Sequence, residues 1–286
     1  MRAAPTIAFL LTRHPPTRVS PVMPEVARQL VCRGARVERI YPDGAVTGLT
    51  SLDPRHDLYV LKSATDTALS VAGALHAAGA ATLNPYPVAA ACRDKIVLTQ
   101  ILRRAGVPIP DTFVAGSYSQ LEPLLSDGPL VVKPYRGSQG RGVRVVHSAG
   151  ELESADDGTA PLFAQRYHAP TGRDRKLYCI GEQVYGVKRV WPVTSYVDKL
   201  GEPFRVGEEL REIAARCGAA FGIGLYGLDV VETEDGLFVV DFSSFPGFKG
   251  VPDAATALSD LIWSAAQRAR AGDERHAASP QTGIAV

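Results

Sequence analysis

At Pro108 the rhythm of this 286-residue chain changes, and that change constrains its fold more than any other feature. Before it, short apolar runs alternate with amphipathic stretches. Ile7–Leu11, Val37–Ile40 and Leu58–Leu61 read as strands. Val22, Met23, Val26 and Leu30 recur at helical spacing up to Gly34, and Ala68–Ala78 reads as a small-residue helix stopped by Gly79. Such alternation implies a parallel sheet with helices on its faces. Asp94–Arg104 is a further helix, with Ile96, Val97, Ile101 and Leu102 on one face and Gly106 as its stop. After Pro108 the pattern is that of antiparallel strands: Thr112–Ala115, Leu130–Lys133, Val143–Val146, Leu162–Gln165, Lys176–Ile180, Val184–Val190, Tyr226–Glu232 and Leu237–Phe242. Gly181-Glu182 and Asp235-Gly236 supply hairpin turns between strand pairs. Two more helices, Glu208–Ala220 and about Asp253–Arg270, complete the reading, and the polar stretch Ala271–Val286 is expected to be disordered.

Composition narrows the function classes. Hydrophobic residues make up 45% of the chain, and the formal net charge is +1. That balance allows a buried core and argues against a generic nucleic-acid binder. No apolar stretch approaches the roughly eighteen residues of a membrane span. Cys32, Cys92, Cys179 and Cys217 are scattered without metal or redox spacing, so reduced structural cysteines and a cytoplasmic protein are expected.

Two segments carry chemistry. In Val131-Val132-Lys133 followed by Gly137-Ser138-Gln139-Gly140-Arg141-Gly142, a buried strand ends on a lysine beside a glycine-rich loop. Glycines let backbone N–H groups approach an anion, and a fixed lysine adds a point charge for polyphosphate. A plain glycine-rich hairpin is the alternative for this segment alone. The second segment is Tyr226–Val231 followed by Gly236–Ser243. Its adjacent strands each place a carboxylate, Asp229 and Asp241, among apolar residues. With the Ser243 hydroxyl they form an oxygen set suited to Mg²⁺, which takes few protein carboxylates and completes its shell with phosphates and water. Strand ends in solvent are the alternative there. Gly222-Ile223-Gly224-Leu225-Tyr226-Gly227 has the letters of a dinucleotide fingerprint, but a helix precedes it and a strand follows, the reverse of what that site needs.

Taken together over about Asn84–Asp253, these residues resemble the ATP-grasp superfamily, in particular RimK-type amino-acid ligases and the related inositol polyphosphate kinases. Arg93-Asp94-Lys95, opening a helix that ends Ala105-Gly106-Val107-Pro108, resembles the entry to the ATP-binding half. Gln165-Arg166-Tyr167 resembles the hinge whose backbone meets adenine. Asp174-Arg175-Lys176 and Val187-Lys188-Arg189 resemble the hairpin that carries basic residues to the phosphates. Gly227-Leu228-Asp229 and Asp241-Phe242-Ser243-Ser244-Phe245-Pro246-Gly247-Phe248 resemble the metal pair and its closing turn. Ser243 stands where the family usually has Asn, and Phe204-Arg205-Val206-Gly207 stands where RimK-type ligases carry an Arg-x-Asn motif.

The resemblance implies an α/β ATP-grasp fold, with an amino-terminal doubly wound domain (1–92), two α+β subdomains enclosing ATP (93–160 and 161–270) and a tail (271–286). It implies an ATP-dependent carboxylate–amine or carboxylate–thiol ligase using ATP and one or two Mg²⁺ ions, with Mn²⁺ as a substitute. Lys95, Lys133, Ser138, Gln139, Gly140, Gly142, Gln165, Arg166, Tyr167, Asp174 and Lys176 would bind the nucleotide. Lys188 and Arg189 would act in catalysis, and Asp229, Asp241 and Ser243 would hold metal. The implied partners are a small carboxylate and an amine, with neither nucleic acid nor membrane, and the oligomeric state is open. Two rivals stay open at this point. One is a small-molecule kinase, for which Arg13, His14, Arg18 and Lys62 would supply a basic pocket; the other is a non-catalytic nucleotide-binding module.

Overall fold

The computed structural model describes residues 4–13, 20–137, 140–154, 161–189 and 200–272. The chain forms two compact units, one of residues 1–89 with 252–286 and the other of residues 90–251.

The first unit is built on the strand–helix alternation. Strands β1 (Thr6–Leu11), β2 (Arg36–Ile40), β3 (Leu58–Lys62) and β4 (Thr82–Leu83) form a parallel sheet in the order β2-β1-β3-β4. Ile7 to Leu10 are all buried, the mark of a central parallel strand covered on both faces, whereas β2 lies at the edge and carries only exposed or half-buried residues. Helix α1 (Val22–Cys32) and helix α2 (Asp66–Ala77) follow β1 and β3. The Thr65 hydroxyl caps α2 by accepting the Ala68 N–H, and Ala68, Ala72 and Leu75 pack on Ala8, Leu10, Tyr59 and Leu61. The strand order reverses sides at β1. There, beyond the carboxyl ends of β1 and β3, Thr12, Ser63, Thr65 and Asp43 form a chain of hydrogen bonds of 2.5, 3.2 and 2.8 Å. A short helix α3 (Tyr86–Ala91) follows β4.

The second unit holds two antiparallel sheets. Helix α4 (Lys95–Arg104) begins at Asp94, whose carboxylate accepts the Ile96 and Val97 N–H groups at 3.0 and 3.2 Å. Strands β5 (Thr112–Ala115), β6 (Leu130–Pro134), β7 (Arg144–Val146) and β8 (Leu162–Arg166) order as β5-β8-β6-β7, with helix α5 (Ala149–Ser154) between β7 and β8 in sequence. Leu121, Leu130, Val132, Leu152 and Ala164 form the core of this sheet. Strands β9 (Asp174–Ile180), β10 (Gln183–Arg189), β11 (Glu202–Phe204), β12 (Leu225–Thr233) and β13 (Gly236–Ser243) order as β11-β10-β9-β12-β13. Helix α6 (Glu208–Phe221) packs on this second sheet. The Tyr226 hydroxyl donates to the Ala214 carbonyl at 2.7 Å, and Gly222 closes the helix in the left-handed conformation. Helix α6 thus precedes β12, the reverse of the strand-then-helix order that a dinucleotide fingerprint at Gly222–Gly227 needs.

One sequence boundary needs correcting. The last helix, α7 (Ala254–Ala271), belongs with the first unit and not with residues 161–251. Its fully buried Ser259 donates to Gln29 on α1 at 2.7 Å, Asp260 pairs with Arg33, and Arg270 lies 3.8 Å from Asp57. An amphipathic pattern shows that a helix has an apolar face, not which sheet covers it. The short strands β4 and β11 carry too few residues for a periodic signal. Residues 273–286, most of the expected tail, lie outside the described residues. Among the described residues no helix is long and apolar enough to cross a membrane.

Candidate nucleotide and metal site

The two sheets of the second unit deliver the charges. Strand β6 ends on Lys133, which is buried, and its ammonium donates to the Val240 carbonyl of β13 at 2.9 Å while lying 5.6 Å from the centre of the Phe163 ring. Burial pushes its pKa down to about 8, against the pull of Asp241 and with a push from Lys95. Lys95, in the first turn of α4, donates to the Gly137 carbonyl at 2.9 Å and lies 3.7 Å from Asp241. The loop that follows β6 turns through positive φ at Gly140 (69°) and Gly142 (73°). A side chain at Gly142 would also sit 2.9 Å from Pro134, so both conformation and space demand glycine there. Ser138 and Gln139 lie outside the described residues.

On the second sheet, strand register decides which side chains share a face. Asp229 of β12 stands opposite Asp241 of β13, and Gly227 stands opposite Ser243, with a register shift just after Asp229. Lys176 of β9 stands opposite Asp229 and forms an ion pair with it. Burial opposes the Lys176 charge, but Asp229 outweighs it and holds the ammonium above its usual range. Burial, with Asp229 nearby, raises the Asp174 carboxyl. Because strand side chains alternate, Asp174, Lys176 and Tyr178 share a face with Arg189, which lies opposite Asp174 on β10. The Arg189 guanidinium donates to the Tyr178 hydroxyl. Four cations (Lys95, Lys133, Lys176, Arg189) are thus gathered with three carboxylates (Asp174, Asp229, Asp241).

Lys188 does not join them. It projects from the other face of β10, opposite Arg175, and lines a separate cleft with Arg175, Glu202 and Glu232, its ammonium 5.6 Å from the centre of the Phe204 ring. The reason is the two-residue period of a strand: with Arg189 facing the carboxylates, Lys188 cannot. Arg166 is also turned away. Its guanidinium donates to the Leu124 and Gly128 carbonyls at 3.0 and 2.5 Å, which makes it a brace for the loop before β6. The backbone N–H groups of Arg166 and Tyr167 are taken by Asp111 and Pro129. Gln165 is buried, held by Thr112 at 3.0 Å, and lines a narrow cleft with Lys95, Leu98, Leu102, Phe163 and Asp241. Tyr178 was not singled out by the sequence; its signal was the two-residue step from Lys176. Of the basic residues proposed for a kinase pocket, Arg13 lies over the Tyr41 ring, Lys62 ends β3, and His14 and Arg18 lie outside the described residues.

The donor set fits Mg²⁺ on its own chemistry. Two opposed carboxylates on adjacent strands repel unless a cation lies by them, and here lysines take that place. Among the described residues no group of three or more His, Cys, Asp or Glu side chains could hold a metal. The pair would therefore rely on Ser243, phosphate oxygens and water to complete an octahedral shell.

Comparison with known proteins gives the same architecture. The chain is 28% identical to a probable alpha-L-glutamate ligase of Alkalilimnicola ehrlichii over 62% of its own length and 63% of that protein's. It is 28% identical to the alpha-aminoadipate–LysW ligase LysX of Saccharolobus solfataricus, over 67% of this chain and 75% of LysX. A crystal structure of a RimK domain ATP-grasp protein from Sphaerobacter thermophilus superposes with a TM-score of 0.73 at 19% identity, covering 90% of this chain and 99% of that one. The RimK-like ATP-grasp domain matches residues 92–262, a span that takes in the glycine loop, the basic hairpin and the opposed carboxylates. Extending as it does over more than half of the sequence, that match shows that the chain belongs to the RimK-like ATP-grasp family.

Proposed function

We propose that this protein, an ATP-grasp ligase by its family and relatives, joins a small carboxylate to an amine through an acyl phosphate. The observation that carries this reading is the opposed pair Asp229 and Asp241, flanked by Lys133, Lys95, Lys176 and Arg189. Lys95 and Lys133 would hold phosphate oxygens beside the glycine loop, and Gln165 lies by the apolar wall of Leu98, Leu102 and Phe163, the surface against which a flat base would stack. Mg²⁺, bound by Asp229, Asp241 and Ser243, would neutralise charge on the phosphate oxygens; the donor set suits one protein-held ion, with any second ion held mainly by phosphates.

The chemistry is two displacements. A carboxylate oxygen attacks the γ-phosphorus, its bond to the β–γ bridging oxygen breaks, and ADP leaves. The amine nitrogen then attacks the acyl carbon, loses a proton, and inorganic phosphate leaves. Arg189 donates to the neutral Tyr178 hydroxyl and, among the described residues, forms no ion pair with a carboxylate, which leaves its charge for a transferring phosphoryl group. The names of the relatives put glutamate and α-aminoadipate first among amines and carboxylates to try. The four cysteines are free thiols, which suits the reducing cytoplasm where ATP is abundant. Those relatives are ligases, which favours this reading over a kinase.

Incubation with Mg·ATP, a panel of carboxylates and hydroxylamine tests the proposal. A hydroxamate formed with stoichiometric ADP supports it. ADP release without hydroxamate, with phosphate transferred to a hydroxyl, would favour a kinase, and nucleotide binding without ADP release would favour a binding module.

A further inference from the structure

Arg189 passes over the carboxylate that faces it. Its register partner on β9 is Asp174, an arrangement in which opposite charges normally pair across strands. Among the described residues the two form no ion pair; the guanidinium reaches along the sheet to the hydroxyl of Tyr178, and its Nε is buried without an acceptor. Tyr178 is itself 1% exposed and fixed from several sides. Its ring packs on Phe248, with centroids 5.5 Å apart, and its hydroxyl is hydrogen-bonded to the backbone of Lys249. The cations of Lys176 and Arg189 lie 5.9 and 5.8 Å from the ring centre. Phe248 and Lys249 follow the Phe245-Pro246-Gly247 turn that leaves β13 after Ser243, so one side chain links the arginine to the segment behind the metal pair.

On the reading of Arg189 given above, we propose that Tyr178 is a positioning residue: a neutral acceptor that aims the Arg189 guanidinium at the transferring phosphoryl group without cancelling its charge. A carboxylate in this place would grip the arginine more tightly but would compete with the phosphoryl oxygens for its charge. A phenol holds direction and leaves the charge available. Burial keeps the phenol protonated by raising its pKa, so the acceptor stays neutral.

Tyr178→Phe keeps the ring and its packing and removes the hydroxyl, with its bonds to Arg189 and to the Lys249 backbone; an Arg189→Met background separates the two losses. The expected result is about tenfold weaker binding of the ADP–aluminium fluoride complex, the loss associated with one hydrogen bond to a charged group, with ADP affinity within about twofold of wild type. The kcat should fall in parallel while the KM for ATP holds. In an Arg189→Met background, Tyr178→Phe should have no further effect. Unchanged fluoride-complex affinity in Tyr178→Phe, or an equal loss in the Arg189→Met background, would overturn the proposal. If the wild type binds the fluoride complex no more tightly than ADP, the ligase reading fails instead. Tripolyphosphate affinity then decides the positioning role, since Tyr178→Phe should lower it only when Arg189 is present.

Discussion

Asp229 and Asp241 face each other across β12 and β13, and each has a lysine beside it: Lys176 is paired with Asp229, and Lys95 lies 3.7 Å from Asp241. The like charges that would otherwise repel are held by cations from β9 and α4, which shows how the fold keeps two carboxylates together before any metal or phosphate arrives.

Removing the Asp241 charge breaks this arrangement on one side. Asp241→Asn is expected to abolish Mg²⁺-dependent ADP formation. It should also lower the pKa of Lys133 further, because Asp241 is the main neighbour holding that ammonium charged. Tracking ADP release against Mg²⁺ concentration, with circular dichroism as a fold control, checks the first part, and the pH profile of ATP binding checks the second; normal turnover in this variant would remove Asp241 from the metal site.

Lys133 gives the nucleotide site a pH dependence with two opposite faces. Its folded pKa, about 8, lies below the ordinary lysine value of 10.5, so between those values the unfolded chain binds more protons and stability rises with pH. Over the same window the neutral amine no longer attracts phosphate, so ATP affinity should fall as pH passes about 8. Lys133→Met is expected to bind ATP weakly at every pH and to lose this part of the stability slope. Calorimetry and urea titration from pH 7 to 10 test it; parallel pH profiles for wild type and variant would contradict the assignment.

Neighbours in sequence, Lys188 and Arg189 should behave differently. Arg189→Ala is expected to lower kcat by about 10²–10³, the range for losing one group that stabilises transition-state charge. Lys188→Ala, on the other face of β10, should cost far less. Equal losses in steady-state kinetics would mean that the face assignment is wrong.

Ser243→Asn should preserve or increase activity at low Mg²⁺, since a carboxamide oxygen reaches further toward an ion than a hydroxyl does. The half-saturating Mg²⁺ concentration for ADP release is the measurement, and loss of all activity would place Ser243 elsewhere than at the metal.

Away from the site, Gly218 on α6 admits no side chain, because a Cβ there would lie 2.6 Å from the Tyr226 hydroxyl. Gly218→Ala is expected to destabilise the protein by about 1–3 kcal/mol through overpacking, without changing the KM for ATP. Urea denaturation reads the first effect; unchanged stability would mean that Tyr226 can swing aside and give up its bond to Ala214.

Local features were readable in the sequence because local chemistry sets them. The Asp94–Arg104 helix with its Gly106 stop, the hairpin turn at Asp235-Gly236, and the placing of Lys133 at a strand end beside a glycine loop all follow from backbone preference and the spacing of apolar residues. Alternation along β10 likewise required that Lys188 and Arg189 point to opposite faces. The β9–β10 hairpin is local and sets Arg189 opposite Asp174, but which face also carries the metal carboxylates was decided by the pairing of β9 with β12, between residues 45 to 55 positions apart that no short window of sequence contains. The same is true of Tyr178, whose role depends on Arg189 and Phe248 arriving from other strands and turns, and of α7, whose apolar face could have served either unit until Ser259 met Gln29. Secondary structure and the order of motifs follow from preferences local to the chain; the sharing of a face follows from long-range register, and only the tertiary structure contains that.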